Sequence, residues 1–467
     1  MDSSPTKGRP VSTISRRALL NRGAVGAAAS ATAVQALMAR SAHAAPKDRR
    51  PAGRGDGGYG PLVAAGPELA LPAGFTYAMF GVEGSTMSDG NPTPKAHDGM
   101  GAFALPNGNV RLIRNHEDRD TAANATVKGN PSTAYDPKGG GSTTSLEVRP
   151  SGNRELVKDF ISLNGTIVNC AGGPTPWGSW ITCEETTAGE TQGFVKDHGY
   201  NFEVPVSAEN EVAAVPLKAM GRFVHEAIAV DPSSGIVYET EDRGSSGFYR
   251  FLPTTPGKMA NGGKLQMLAL KGNRSGYDAR TGQRVGKPLP VQWVDIDDPD
   301  PPAAETDALA VFKQGEAQGG AIFSRLEGCW FGDGSIFFAS TDGGDAELGQ
   351  VWQYRPRGSS GGQLILLFES RSKEELDAPD NVTVSPAGGI LLCEDGDDEQ
   401  FVRGLTPRGE IFDFVKNITN DREFAGATFS PDGETLFVNI QGDTRGPGGA
   451  NKGMTFAIWG PFEDGAL

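Results

Sequence analysis

Short apolar runs rich in β-branched and aromatic residues recur along this chain, each entered through a tight turn and each ending in a polar or acidic cluster. Turns at 231–235, 333–334, 385–389 and 430–433 combine Asp, Ser, Pro and Gly and lead into apolar runs at 236–238, 336–338, 390–392 and 436–438. These read as inner β-hairpins. Residues 350–354 with 364–368, and 247–252 with 265–270, supply outer strands. The stretch 275–318, rich in Pro, Asp and Ala, reads as a long insertion with one short helix, and 118–141 as a surface excursion over one face.

The polar ends of the hairpins repeat. Six copies run from His97-Asp98 to Asn115-His116-Glu117, Cys170 to Glu184-Glu185, His225-Glu226 to Glu241-Asp242-Arg243, Arg325-Leu326-Glu327 to Asp342, Asp380-Asn381 to Glu394-Asp395, and Glu423 to Asn439-Ile440-Gln441. From Cys170 to Glu185, Glu226 to Glu241, Glu327 to Asp342 and Asp380 to Asp395 the offset is 15 each time. A single hairpin cannot bury its own faces, so repeated units must pack on one another. Six of them predict an all-β fold, a six-bladed β-propeller with loop insertions, whose polar ends converge near one axis.

Residues 1–44 read as an export signal. Ser15-Arg16-Arg17 forms a twin-arginine pattern, an Ala-rich apolar run follows at 24–38, and Ala42-His43-Ala44 fits a cleavage site. A flexible leader at 45–60 and a single propeller domain at 61–467 complete the expected organisation, in a periplasmic or extracellular protein. The apolar run is shorter than the ~20 residues a membrane span needs, and no other segment qualifies. The net charge of −15 becomes about −20 without the signal, which carries six Lys/Arg and one Asp. Such acidity argues against nucleic acid as a partner. Any one exposed acid is ordinarily just solvated; recurrence at strand ends is what raises these above that expectation.

All four cysteines, Cys170, Cys183, Cys329 and Cys393, follow the signal, and two disulfides are formally possible. Cys183 and Cys393 hold equivalent places just before Glu184 and Glu394, as small buried strand residues do. Cys170 differs, because it stands where other repeats carry Glu226, Glu327 and Asp380. A thiolate there suits a transition metal such as iron, copper or zinc; the competing reading is an inert buried thiol.

Several motifs carry a family resemblance: Asn169-Cys170-Ala171-Gly172-Gly173, Trp177-Gly178-Ser179-Trp180-Ile181-Thr182-Cys183-Glu184-Glu185, Gly221-Arg222-Phe223-Val224-His225-Glu226, Pro379-Asp380-Asn381, and the run from Phe429 to Gln441. Together, behind a twin-arginine signal, they resemble the PhoX-type alkaline phosphatases over nearly the whole mature chain. The resemblance implies a mixed iron and calcium cluster at the axis of a six-bladed propeller, acting on small phosphate esters, in a protein expected to be monomeric. It implies as metal ligands Cys170, Glu226, Glu327 and Asp380, one acid of each pair Glu184/Glu185 and Glu394/Asp395, Glu241, and Asn115 with Glu117. Side chains of adjacent strand residues face opposite ways, so one of each pair is expected at the axis. Arg325 is the implied phosphate clamp, and Arg325 with Cys170 are the catalytic candidates. His225 reads as a hydrogen-bonded support beside the ligands.

Two further readings stay open. A calcium-dependent lactonase or esterase propeller would use axial Glu, Asn and Asp, but has no use for a thiolate. A non-catalytic, calcium-stabilised binding propeller needs fewer inward charges than this chain has, because clustered buried carboxylates are costly without cations. No Gly-x-Ser-x-Gly motif points to a serine hydrolase.

Overall fold

The computed structural model describes residues 54–273, 275–358, 361–446 and 449–467, so the expected signal at 1–44 and the leader up to residue 53 lie outside the described residues. The fold is all-β and propeller-like, with one short α-helix among the described residues, Ala310–Glu316. Each polar-ended repeat begins with a buried strand: His97–Ala104, Asn169–Pro174, His225–Val230, Leu326–Gly332, Pro379–Val384 and Phe424–Phe429. Each pairs antiparallel with the next strand of its own hairpin, and each packs beside the first strand of the following repeat until Phe424–Phe429 returns to His97–Ala104. The cycle is closed.

The expected inner-hairpin strands are present as Val237–Glu241, Ser335–Ser340, Ile390–Glu394 and Leu436–Ile440. The outer ones are Phe248–Pro253, Gly263–Leu270, Gln350–Arg357 and Gly361–Glu369. The expected insertion at 275–318 contains the short helix, but also the strand Leu289–Asp295. That strand pairs with both Gly263–Leu270 and Gly361–Glu369 and joins two repeats into one sheet. Its alternating Val291, Trp293 and Asp295 hide in a Pro-rich context that masks the strand signal. The described part of the expected flexible leader is also ordered by contacts. Gly55 donates its N–H to Ile411 (2.9 Å), and the Tyr59 ring packs on Phe75, Phe412 and Phe414. One aromatic residue thus anchors a segment whose composition alone suggests disorder.

Near the ring, the strand Thr76–Phe80 pairs with Met454–Trp459, so an early strand completes the last sheet. Between sheets, the apolar faces form the core, from Phe248, Phe338, Trp352 and Tyr354 on one side to Phe412, Phe414 and Phe456 on another. Burial of such aromatic faces is the main stabilising term.

Candidate active site

All six first hairpins carry the same irregularity. Pairing slips between His97 and Met100, Asn169 and Gly172, His225 and Ile228, Leu326 and Cys329, Pro379 and Val382, and Ala425 and Thr428. Two residues therefore oppose one, which is a β-bulge, and bulges re-aim side chains. In five repeats the first unpaired residue is Asp98, Cys170, Glu226, Glu327 or Asp380. In the sixth it is Gly426. Its φ is 64°, and a Cβ there would meet the Asp98 carbonyl oxygen at 2.5 Å, so this repeat has no room for an inward side chain. Two residues before the axial position the backbone is left-handed at Ala96, Val168, Arg325 and Ala378 (φ 53°, 49°, 40° and 48°). Four non-glycine residues in that region mark strain held in place by the surrounding hairpins, and such strain concentrates at functional sites.

A second set of side chains comes from the far end of each hairpin. The N–H groups of Glu117, Glu185, Asp242, Asp395 and Gln441 donate to the carbonyls of Ala96, Val168, Val224, Ala378 and Glu423, at 2.8–3.2 Å. These bonds fix where the second strand turns over the axis. The result is three overlapping triads whose ligand atoms lie within 4.8 Å of one another: Asp98, Glu117 and Cys170; Cys170, Glu185 and Glu226; Glu226, Glu327 and Asp380. Cys170 and Glu226 are each shared by two.

The electrostatics of this cluster are unfavourable by themselves. Burial, then Asp380 and Glu185, pushes the Glu226 carboxyl well above the usual range; burial, then Asp98 and Glu226, does the same to the Cys170 thiol. Burial and Asp395 push Asp380 up to about 7. Burial likewise raises Asp98, Glu327 and Glu423, the last with Asp395 as its hydrogen-bonded neighbour. Neither carboxylate oxygen of Glu226 has a well-formed hydrogen bond, the Cys170 thiol being their polar neighbour. A buried carboxylate so placed is costly unless a cation meets it. The donor set, many hard oxygens and one soft sulfur, fits the group that the resemblance implies.

Two arginines reach the mouth. Arg325 forks onto Asp242 (Nε to Oδ1 2.9 Å, Nη2 to Oδ2 3.2 Å) and also meets Glu327 at 3.0 Å, with 42% of its side chain exposed. Arg119 contacts both Glu117 and Glu185. Burial opposes the charge of each, and the neighbouring carboxylates more than offset that and raise both.

Of the residues expected from sequence, Cys170, Glu117, Glu185, Glu226, Glu327 and Asp380 come together at the axis, with Asp395 beside Glu423 and Asp380. Four others do not join them. Glu184 spends its oxygens on the N–H groups of Ile167, Gly199 and Tyr200 and on His198 Nδ1 (2.6 Å). Glu241 accepts from Gly247 N–H and Tyr249 O–H, and Glu394 from Asp377 N–H and Arg403. Asn115 donates to the carbonyls of Cys170 (2.9 Å) and Ala171 (2.7 Å) and accepts from Trp180, so it fixes the thiol's backbone. Strand alternation turns Glu184, Glu241 and Glu394 away from the side taken by their neighbours Glu185, Asp242 and Asp395. His225 is the expected support: buried, bonded to the Gly221 carbonyl at 3.0 Å, 3.4 Å from Glu239, and lowered to about 3 by burial. The four cysteines are all buried and none is paired in a disulfide.

Sequence reasoning missed Asp98, Asp242, Glu423, Gln441 and Arg119. Asp98 was signalled by the parallel His97-Asp98 and His225-Glu226. Gln441 Nε2 bridges Asp98 (2.7 Å) and Glu117 (2.8 Å), a neutral donor between two acids.

An all-β, propeller-like ring thus surrounds a buried axial cluster of acids around one thiol. The chain matches the model of the family "Alkaline phosphatase PhoX" over residues 57–443, and it belongs to that family of phosphoric ester hydrolases. Among solved structures it is similar to Pseudomonas fluorescens PhoX in complex with vanadate, a transition state analogue, at 17% identity and a TM-score of 0.66, covering 90% of this chain and 98% of that one. A gluconolactonase from Xanthomonas campestris is 12% identical, with a TM-score of 0.38 over 85% of this chain and 99% of that one. No curated protein matches the chain.

Proposed function

We propose that the axial cluster is an iron and calcium centre that hydrolyses small phosphate esters, on a six-bladed ring. The single observation carrying this reading is the set of three buried triads linked through Cys170 and Glu226, in a chain of an alkaline phosphatase family. The closed cycle of first strands supports six blades.

Cys170 with Glu185 and Glu226 would hold iron; Asp98, Glu117, Glu327 and Asp380, with Asp395 and Glu423 beside them, offer the hard oxygens calcium prefers. Ions bound there supply positive charge for phosphoryl oxygens. The chain's own residues do the rest. Arg325, held by Asp242 and Glu327 through Nε and Nη2 and 42% exposed, leaves its Nη1 as the donor for a phosphoryl oxygen. Gln441 and Asn115 hold Asp98, Glu117 and the Cys170 backbone in place, so little reorganisation is needed when substrate arrives. A lactonase would not need the thiol, and Cys170 favours the phosphatase.

The twin-arginine pattern supports export of the folded protein; no helix among the described residues is long and apolar enough to cross a membrane. We take the protein to be a monomer.

Elemental analysis of protein exported by its native route, paired with p-nitrophenyl phosphate turnover, tests the reading. Iron, calcium and phosphatase activity are expected, with EGTA lowering both activity and Tm. Cys170→Ser should lose iron and colour while Cys393→Ser keeps them. Full activity after exhaustive metal removal, or equal iron in both variants, would overturn it.

A further inference from the structure

Arg119 lies outside the repeats, just past the first hairpin, with its N–H bonded to the Thr444 carbonyl at 3.0 Å. Its guanidinium touches Glu117, of the triad with Asp98 and Cys170, and Glu185, of the triad with Cys170 and Glu226. It therefore stands where two triads meet at the thiol. Glu185 in turn neighbours Asp242, the carboxylate on which Arg325 is forked, and Arg325 continues to Glu327 of the third triad. Glu117, Arg119, Glu185, Asp242, Arg325 and Glu327 thus form one unbroken series of charges along the mouth, with an arginine towards each end. The two are alike in exposure, 35% and 42% of their side chains, over carboxylates that are nearly buried. Arg119 meets both of its acids through Nη2, and Arg325 meets its acids through Nε and Nη2.

We propose that Arg119 is a second oxyanion-binding arginine of the axial site and sets its preference for phosphate monoesters over diesters. This rests on the phosphatase reading above. A monoester dianion offers three non-bridging oxygens and two charges, whereas a diester offers two oxygens and one charge. Arg325, with Nε and Nη2 on Asp242 and Glu327, offers Nη1 to one oxygen, which either ester supplies. A second arginine, reaching the site from the other end of the series, gains most from the extra oxygen and second charge that only the monoester carries. Inorganic phosphate, with one more oxygen, should bind both. The bland alternative is that Arg119 only neutralises Glu117 and Glu185.

The test uses the exported holoenzyme, with Arg119→Met and Arg119→Lys, assayed on p-nitrophenyl phosphate and bis-p-nitrophenyl phosphate, with inhibition by inorganic phosphate and metal content measured alongside. Arg119→Met should lower kcat/KM for the monoester by roughly ten- to a hundredfold, the range of a lost charge-assisted hydrogen bond, and weaken phosphate inhibition by a similar factor. Diester turnover should fall by no more than about threefold, with metal content retained, and Arg119→Lys should lie between. Equal losses on both esters, unchanged phosphate inhibition, or metal loss in both variants would overturn the proposal. A wild type inert on both esters would instead fail the phosphatase reading itself, whereas an active wild type indifferent to Arg119 fails only this assignment.

Discussion

Glu226 and Glu184 belong to neighbouring hairpins, and both are fully buried. Their surroundings are opposite. Glu184 has three backbone N–H donors and the imidazole of His198, itself 3.5 Å from Asp136; Glu226 has no well-formed hydrogen bond and faces other acids. A buried carboxylate with all its partners holds the fold together, whereas one left bare is explained only by something the chain alone does not provide. For this pair, completeness of partners separates scaffold from site where burial and residue type do not.

The comparison breaks most visibly at Glu226→Gln and Glu184→Gln. We expect Glu226→Gln to abolish metal uptake and lower phosphatase turnover by at least about a thousandfold, while the metal-free protein melts no lower than the wild type, since an uncompensated acid has been removed. Glu184→Gln should do the reverse, keeping its metals but losing roughly 3 kcal/mol of stability from a broken buried pair. Equal metal content in both variants, measured by elemental analysis, would remove the distinction.

Arg325→Lys sharpens the contrast at the mouth, where charge without the fork should be insufficient. Turnover should fall by roughly ten- to a thousandfold with metals still bound. If turnover holds, the clamp lies elsewhere, and steady-state kinetics on p-nitrophenyl phosphate decide it.

The last contrast is a pH dependence on the scaffold side. Burial opposes charging of His198, but Glu184 and Asp136 outweigh it and push the imidazole up to about 9. Because the folded value lies above the unfolded one near 6.5, this stabilisation is complete below about pH 6.5 and disappears as pH rises through about 9. At about 1.4 kcal/mol per pKa unit, the loss amounts to a few kcal/mol. Denaturant melts of wild type and His198→Gln across that window should converge at the alkaline end; parallel curves would show that His198 is not the source.

Much of this was legible in the sequence. The repeat of polar ends located the hairpins, and Cys170, Glu226, Glu327 and Asp380 were found because each follows the opening of a repeat at the same bulge. The far ends were harder. A constant offset of 15 selects Glu241, but six residues separate the paired Val230 and Val237 where five separate Val384 and Ile390, so the turning residue is Asp242. One extra turn residue flips which neighbour faces inward. In Glu184 and Glu394, the deciding partners are His198 and Arg403, contributed by other strands or loops whose approach no local pattern encodes. Arg119 escaped because it belongs to no repeat.

The pairing of Thr76–Phe80 with Met454–Trp459 bears on the order of events in the life of the chain. Two segments far apart in the chain must meet to complete this sheet, just as Phe424–Phe429 must reach His97–Ala104 to close the ring. Until the ends meet, Asp98 of the first hairpin has neither the Gln441 amide nor the close approach of the last repeat. Any loading of the centre would therefore wait for the last repeat, whose Gln441 and Gly426 complete the surroundings of Asp98.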